Sequence, residues 1–240
     1  MVDNTNGLQN NPVPVKIVER DYETVQKQKR DMRSAFSRCG WATLALSLFP
    51  LFASLCLSFA LKKLDRLGID SYGFYNRFFL IFNEILIGSS IVFGLLFLLD
   101  MQKSVPERRK ITAKSFFLPL CICFPISSAG NLLGTFIVMF WNIITGNNTT
   151  NELTEVLSST SAWQMVLCVG IIAPIIEELF FRKLLIDRLY RYGELAAILI
   201  SGLLFGLFHQ NFNQFFYAAG IGIVFGFVYC RTGSYRLVVL

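Results

Sequence analysis

Long apolar runs separated by short charged stretches dominate the pattern of this chain. The runs predict membrane helices at about 40–61, 78–99, 116–144, 164–187, 195–210 and 214–230, because roughly 20 apolar residues span the hydrocarbon of a bilayer. The third run is too long for one straight span, and Pro119, Pro125 and Gly130–Asn131 predict a kink or a break in it. The fifth run is short, which favours a tilted or partly re-entrant helix. The predicted fold class is therefore all-α, a polytopic membrane helix bundle with about six transmembrane helices.

The composition agrees with this class. Hydrophobic residues make up 54% of the 240 residues, which is too apolar for a soluble domain of this size. The six cysteines lie in or beside apolar runs, without the spacing of a zinc site, so we expect reduced, buried thiols. The net charge of +6 comes from basic residues beside the apolar runs, which indicates contact with membrane lipids and not with nucleic acid.

Two regions are expected along the chain. Residues 1–38 predict a polar, partly disordered cytoplasmic segment, in which Lys16–Arg38 form a charged surface helix. Residues 39–240 predict the membrane-embedded helical domain.

Basic residues predict the topology. Lysines and arginines cluster before the first apolar run, between the second and third, and between the fourth and fifth, so these stretches should be cytoplasmic. The loop at 146–162 has no Lys or Arg and should face outward. One stretch disagrees, since Lys62, Lys63, Arg66 and Arg77 would then lie outside. The expectation is a multi-pass protein of the cell membrane with both termini in the cytoplasm.

Charged residues interrupt the fourth apolar run at Glu177, Glu178 and Arg182. Each costs roughly 2.5–3.5 kcal/mol at the centre of a bilayer, so such groups usually pair or take part in function. Glu178 and Arg182 are four residues apart and should form an ion pair on one helix face. Glu177 points about 100° away from that face, which leaves it without a partner on its own helix. Glu84 in the second run should pair with Arg182 or a lipid headgroup.

His209 is the one histidine of the chain and lies at the end of the fifth run. Gly193 marks the turn between the fourth and fifth helices, and Glu177 and His209 are each sixteen residues from it. In a symmetrical hairpin they would lie at equal depth, roughly 24 Å from the turn. Phe205, one turn earlier on the same face, should pack beside His209. A carboxylate facing an imidazole can hold and deprotonate water, which indicates hydrolysis.

These residues resemble a known family. The segment Glu177–Arg182, EELFFR, is similar to the EExxxR motif of the CAAX protease and bacteriocin-processing family, also called CPBP or Abi. Phe205–His209, FGLFH, is similar to its second motif, FxxxH, and Gly220–Ser234 looks like the family's next helix and loop. The resemblance covers residues 164–234, and the two motifs in this order make it specific.

The resemblance implies a CAAX prenyl protease-like intramembrane endopeptidase. Glu177 would activate water, His209 would help to bind it, and Glu178, Arg182 and Phe205 would support the site. The implied substrate is a peptide or protein, either prenylated or a bacteriocin precursor. The resemblance requires no cofactor, but zinc is compatible with it, with Glu177 and His209 as its ligands.

The family's third motif has no counterpart in this chain. It is a histidine followed four residues later by Asn or Asp, on a helix that should begin near Tyr235, and the sequence stops at Leu240. We therefore expect either a fragment or a natural truncation with an incomplete site. The alternative function is a catalytically incomplete family member that acts as a bacteriocin-immunity or scaffold protein. A proton pathway through Glu84, Glu177 and Glu178 is a further alternative, but the internal repeats typical of transporters are not visible.

Overall fold

The computed structural model describes residues 15–69, 71–146 and 160–239. Within these ranges the regular structure is helical and no strand occurs. The helices are α1 (Val15–Asp65), α2 (Ser71–Arg77), α3 (Phe79–Leu98), α4 (Ala113–Thr145), α5 (Ala162–Tyr192), α6 (Glu194–Phe208), α7 (Phe212–Thr232) and α8 (Tyr235–Val239). Most of the residues predicted as a disordered N-terminus and as the outward loop at 146–162 lie outside the described ranges.

Five of these helices are long and apolar enough to cross a membrane, namely α1, α3, α4, α5 and α7. The prediction of an all-α polytopic bundle is confirmed. The predicted fifth span, α6, has 15 residues. It rises roughly 22 Å, which is less than the roughly 30 Å of hydrocarbon in a bilayer.

Of the kink or break predicted in the third span, the break does not occur. Helix α4 runs without interruption through Pro119 and Pro125. Each proline removes one backbone hydrogen bond, while the bonds on either side remain. In hydrocarbon, a full break would expose many more backbone groups without partners, so the continuous helix is the less costly solution.

The boundary expected near residue 38 is also absent from the secondary structure. Helix α1 continues through Lys16–Arg38 into the first apolar run, because the charged stretch is rich in good helix formers and Pro50 is the one proline in the helix. By its contacts the chain divides after Ser34 into two compact units. The second unit contains the candidate site, and the following description concerns that unit.

Contacts between connecting segments define two ends of the second unit. At one end the main chain of Ser104 donates to Asp187 and that of Arg109 donates to Thr232. Arg38 contacts Asp100 at the same end. At the other end, the Gln164 amide donates to the carbonyl of Arg77 over 3.0 Å. The stretches predicted to share the cytoplasmic side therefore share one end of the bundle.

Helix α5 lies at the centre of the packing. It contacts α3, α6, α7 and α8, and its residues Phe180, Phe181, Leu185, Ile186 and Leu189 are fully buried. Two segments of α5, Met165–Ile172 and Leu179–Ile186, form wider π-type turns. Such turns hold more residues per turn than an α-helix and are frequent at functional sites.

Helix α4 packs on α7 through two glycines. A Cβ atom at Gly130 would lie 2.5 Å from the main chain of Tyr217, and one at Gly134 would lie 2.6 Å from the carbonyl oxygen of Phe212. Glycine is therefore required at both positions for the two backbones to approach so closely. Most other side chains of α4 are exposed.

Candidate active site

The predicted ion pair between Glu178 and Arg182 is present and buried. The guanidinium donates from Nε to Oε2 of Glu178 over 2.7 Å and from Nη2 to Oε1 over 3.0 Å. Arg182 is 0% exposed and Glu178 is 3% exposed. Both oxygens of the carboxylate are thus used by one bidentate partner, which is the strongest geometry for such a pair.

Ser201 of α6 completes this pair and was not predicted from the sequence. Its hydroxyl accepts a hydrogen bond from Nη1 of Arg182 over 3.0 Å and donates one to the carbonyl of Phe181 over 3.0 Å. Glu178, Arg182 and Ser201 therefore form one buried hydrogen-bonded unit between α5 and α6. A serine among the apolar residues of α6 was the signal available in the sequence.

Phe205 joins this unit to His209. Its ring lies under the guanidinium of Arg182, with 5.6 Å between the carbon of the guanidinium and the ring centroid. The same ring meets His209 edge-on at 5.0 Å between centroids. The contact predicted between Phe205 and His209 is therefore present.

His209 is the residue at which α6 ends, and its side chain is half-buried. Its Nδ1 lies 2.9 Å from the carbonyl oxygen of Phe205. A carbonyl can only accept a hydrogen bond, so this contact assigns the proton to Nδ1 and leaves Nε2 of the neutral ring as an acceptor. The next residue, Gln210, has a φ of 53°, which turns the chain away from the helix axis.

Glu177 is half-buried and differs sharply from its neighbour Glu178. Among the described residues it has no hydrogen bond or ion pair, whereas both oxygens of Glu178 are bonded. Its charge interacts with those of Glu178, Glu84 and Arg182, and with the hydroxyl of Tyr217. A carboxylate in this setting is available to bind water or substrate.

Contacts between α5 and α6 bring the helix that carries Glu177 beside the helix that carries His209. The hydroxyl of Ser201 bonds to the carbonyl of Phe181, and the ring of Phe181 meets those of Phe205 and Phe208 at 5.0 and 5.7 Å between centroids. The equal depth expected for Glu177 and His209 stays a prediction.

No hydrogen bond joins Glu177 directly to His209 in the part of the chain that the structure describes. The pairing of the two residues through water stays a prediction.

Comparison with known proteins identifies the region that holds these residues. Residues 159–240 match the family described as Type II CAAX prenyl endopeptidase Rce1-like. The C-terminal third of the chain is similar to this family, and residues 159–240 are therefore called the Rce1-like domain. This domain contains both motifs and agrees with the resemblance to the CAAX protease and bacteriocin-processing family.

A curated relative supports the same assignment of the Rce1-like domain. "Putative membrane peptidase YdiL" of Bacillus subtilis (strain 168) is 35% identical over 69 residues, which are 28% of this chain and 28% of that protein. The match thus spans little more than a quarter of the length of the relative. No solved structure matches the chain.

The Rce1-like domain contains a second polar cluster that sequence reasoning missed. Lys183 donates to Asp187 over 2.9 Å and to the hydroxyl of Tyr229 over 3.0 Å, and that hydroxyl donates to Asp187 over 2.7 Å. Asp187 and Tyr229 are buried, so the cluster fixes α5 against α7. The spacing of four residues between Lys183 and Asp187 was the available signal.

Glu84 does not pair with Arg182 as expected. The guanidinium is already occupied by Glu178 and Ser201, and Oε2 of Glu84 has no hydrogen-bond partner among the described residues. Glu84 is 8% exposed, and its helix α3 packs on α5. The other partner expected for it, a lipid headgroup, stays a prediction.

The start of the helix expected for the third motif is confirmed. Helix α8 begins at Tyr235, whose hydroxyl donates to the carbonyl of Ile175 over 2.8 Å. The charge of Glu178 also acts on this tyrosine. Helix α8 of the Rce1-like domain thus packs on α5 beside the motif glutamates.

The donors of the Rce1-like domain do not fit a catalytic zinc ion. Such an ion usually takes three protein ligands. Within the described residues no group of three or more His, Cys, Asp or Glu side chains could hold a metal ion. Glu178 is also committed to Arg182, which leaves Glu177 and His209 as the remaining donors of the two motifs.

Proposed function

We propose that this chain is an intramembrane endopeptidase of the CAAX type, in which Glu177 activates a water molecule for attack on a peptide bond. The observation that supports this is the contrast between two adjacent carboxylates. Glu178 is buried and bonded through both oxygens to Arg182. Glu177 has no partner among the described residues and is half-buried. One glutamate is thus a structural residue, and the other is free to act as a general base.

In the proposed mechanism one water molecule lies between Glu177 and His209. One of its O–H groups donates to the Glu177 carboxylate and the other to Nε2 of His209, which is an acceptor because Nδ1–H is bonded to Phe205. Glu177 takes a proton as the water oxygen attacks the substrate carbonyl. The proton then passes to the amine that leaves when the C–N bond breaks. The products are a carboxylic acid and an amine, so atoms and charges balance.

The remaining residues of the motifs hold this arrangement in place. The unit of Glu178, Arg182 and Ser201 fixes α5 against α6, and Phe205 connects it to the imidazole. Preorganisation of this kind lowers the cost of bringing water, base and substrate together. The mechanism as proposed uses no metal ion.

The proposed substrate is a peptide or protein held at the membrane, either prenylated or a bacteriocin precursor, with membrane lipids around the helices. We further propose that the end of the bundle with Arg38, Arg109 and Arg191 faces the cytoplasm and that the protein resides in the cell membrane. The support is the abundance of basic residues at this end, as expected from the positive-inside rule.

The test uses the full chain in lipid nanodiscs and a farnesylated CAAX-type peptide as substrate. Glu177→Gln keeps the shape of the side chain but removes the base, and it should lower the cleavage rate by about a hundred- to ten-thousandfold. Glu84→Gln is the matched control, because it removes a second buried carboxylate near Glu177 that the mechanism does not use. This control should cleave at close to the wild-type rate.

If Glu177→Gln and Glu84→Gln lower the cleavage rate equally, cleavage depends on buried carboxylates in general. The assignment of Glu177 as the base would then be wrong. Unchanged activity of Glu177→Gln and His209→Ala in cells would instead support the alternative function, a catalytically incomplete immunity or scaffold protein. Folding of each variant is checked by size-exclusion chromatography before activity is measured.

A further inference from the structure

A polar cleft with a volume of about 410 Å³ opens between α4 and α7. Its lining includes Ser127, Ser128 and Asn131 of α4, and Asn213, Gln214 and Tyr217 of α7. The three residues of α4 lie at the middle of the longest uninterrupted apolar helix after α1. Polar side chains at such a position are expensive in a membrane, so a function is the default explanation.

The polar groups of this cleft fall into two kinds. The hydroxyls of Ser127 and Ser128 donate within their own helix, to the carbonyls of Cys123 over 2.7 Å and of Phe124 over 3.0 Å. The side-chain amides of Asn131, Asn213 and Gln214, by contrast, have no hydrogen-bond partner among the described residues. The cleft therefore presents amide donors and acceptors on both of its walls.

An extended peptide is the ligand whose chemistry matches these groups. A side-chain amide has one acceptor and one NH₂ donor group, so it can pair with both the N–H and the C=O of a peptide group. Cleavage requires the substrate chain to leave any helical form, which exposes main-chain groups that hydrocarbon cannot satisfy. A polar cleft between α4 and α7 can satisfy them.

The cleft also lies near the candidate site. Tyr217 lines it, and the hydroxyl of this residue interacts with the charge of Glu177. The close approach of Gly130 to the main chain of Tyr217 fixes the two walls relative to each other. The cleft thus opens near the carboxylate that the mechanism uses.

We propose that the cleft between α4 and α7 binds the main chain of the peptide substrate, with Asn131 and Gln214 pairing with its peptide groups. This inference rests on the proposed endopeptidase function and adds the surface on which the substrate is held. Asn131 and Gln214 are binding residues here and take no part in the chemical step.

The first experiment leaves the protein surface of the cleft unchanged and alters the ligand. The full chain in nanodiscs carries Glu177→Gln to prevent turnover, and binding of a fluorescent farnesylated CAAX-type peptide is followed by fluorescence anisotropy. The second ligand is the same peptide with its main-chain amides N-methylated along the last residues, which removes the N–H donors. We expect the methylated peptide to bind at least about tenfold more weakly, since several hydrogen bonds are lost together.

The second experiment changes the walls of the cleft. Asn131→Leu and Gln214→Met keep the volume of the side chains but remove the amides, and each should raise the Kd by about three- to tenfold, as for single hydrogen bonds inside membranes. Ser128→Ala is the matched control, because the hydroxyl of Ser128 is already bonded to Phe124 and its loss should leave the Kd almost unchanged.

The outcomes separate this inference from the proposed function. Binding that depends on Asn131 and on the peptide N–H groups, without cleavage by the wild-type chain, would support the cleft and overturn the endopeptidase proposal. Cleavage by the wild-type chain, with equal affinity for both peptides and no effect of Asn131→Leu, would overturn the cleft and keep the endopeptidase. A lack of binding by either peptide would overturn the cleft as well. If Asn131→Leu fails to fold, the difference in affinity between the two peptides tests the proposed cleft without that variant.

Discussion

Replacement of Arg182 by methionine would leave the Glu178 carboxylate buried without its counter-charge. The guanidinium makes two bonds to that carboxylate, of 2.7 and 3.0 Å, and both residues are at most 3% exposed. Removal of one partner of such a pair costs roughly 3–5 kcal/mol of stability. Ser201 keeps its bond to the carbonyl of Phe181, so the penalty falls on Glu178.

The double variant Glu178→Met with Arg182→Met should be more stable than the single variant. It removes both charges and fills the space with apolar atoms, which is often neutral or even stabilising for a buried pair. Stability is measured as the free energy of unfolding in detergent micelles titrated with sodium dodecyl sulfate and followed by tryptophan fluorescence. The chain contains three tryptophans that report on the transition.

A second ion pair supplies the control. Arg231 and Glu194 are joined over 2.8 Å, but their side chains are 52% and 30% exposed. Because water screens this pair, Arg231→Met should cost less than about 1 kcal/mol. If Arg182→Met costs no more than Arg231→Met, or if the double variant is the least stable of all, the assignment of Glu178 as a buried structural charge is wrong.

Two further predictions concern the metal and the helix seam. Cleavage by the full chain should persist after treatment with 1,10-phenanthroline and dialysis, and loss of activity that added zinc restores would contradict the metal-free mechanism. Gly130→Leu should destabilise the protein severely, because its Cβ would lie 2.5 Å from the Tyr217 main chain, whereas Gly40→Leu should fold normally because no atom lies within 4 Å of the new Cβ. The same detergent unfolding assay compares the two, and equal stability would mean that α4 and α7 are not packed at this distance.

Local spacing was sufficient to predict the contacts that lie within one helix. The four-residue separation of Glu178 and Arg182 gave their ion pair, and that of Phe205 and His209 gave their ring contact. Such contacts follow from the geometry of the α-helix alone. The apolar runs likewise predicted the five helices that are long enough to cross a membrane, because bilayer thickness sets a minimum length for each.

Features that depend on how helices meet were not predictable in the same way. The π-type turn at Leu179–Ile186 lies where α5 packs on α6 and has no compositional signature in the sequence. Ser201 gains its role from a residue nineteen positions away on another helix. The cleft between α4 and α7 requires the position of both walls, which a single sequence does not give.

At the prolines of α4 and at the charged start of α1, local sequence rules were not sufficient to predict the course of the helix. Local rules predicted a kink or a break at Pro119 or Pro125 and a surface helix that ends near Arg38, but α4 has no break and α1 continues past Arg38. In both cases the wider context outweighs the local preference. Hydrocarbon penalises every unpaired backbone group, and good helix formers on both sides of the boundary extend the helix.

The central claim is that Glu177 and His209 hold one water molecule between α5 and α6, while Glu178 is reserved for Arg182. An experimental structure of the full chain in lipid, with ordered water resolved, tests it most directly. The account predicts a water oxygen within about 2.6–3.2 Å of both the Glu177 carboxylate and Nε2 of His209. A Glu177 side chain that faces lipid, or one that replaces Glu178 as the partner of Arg182, would contradict it.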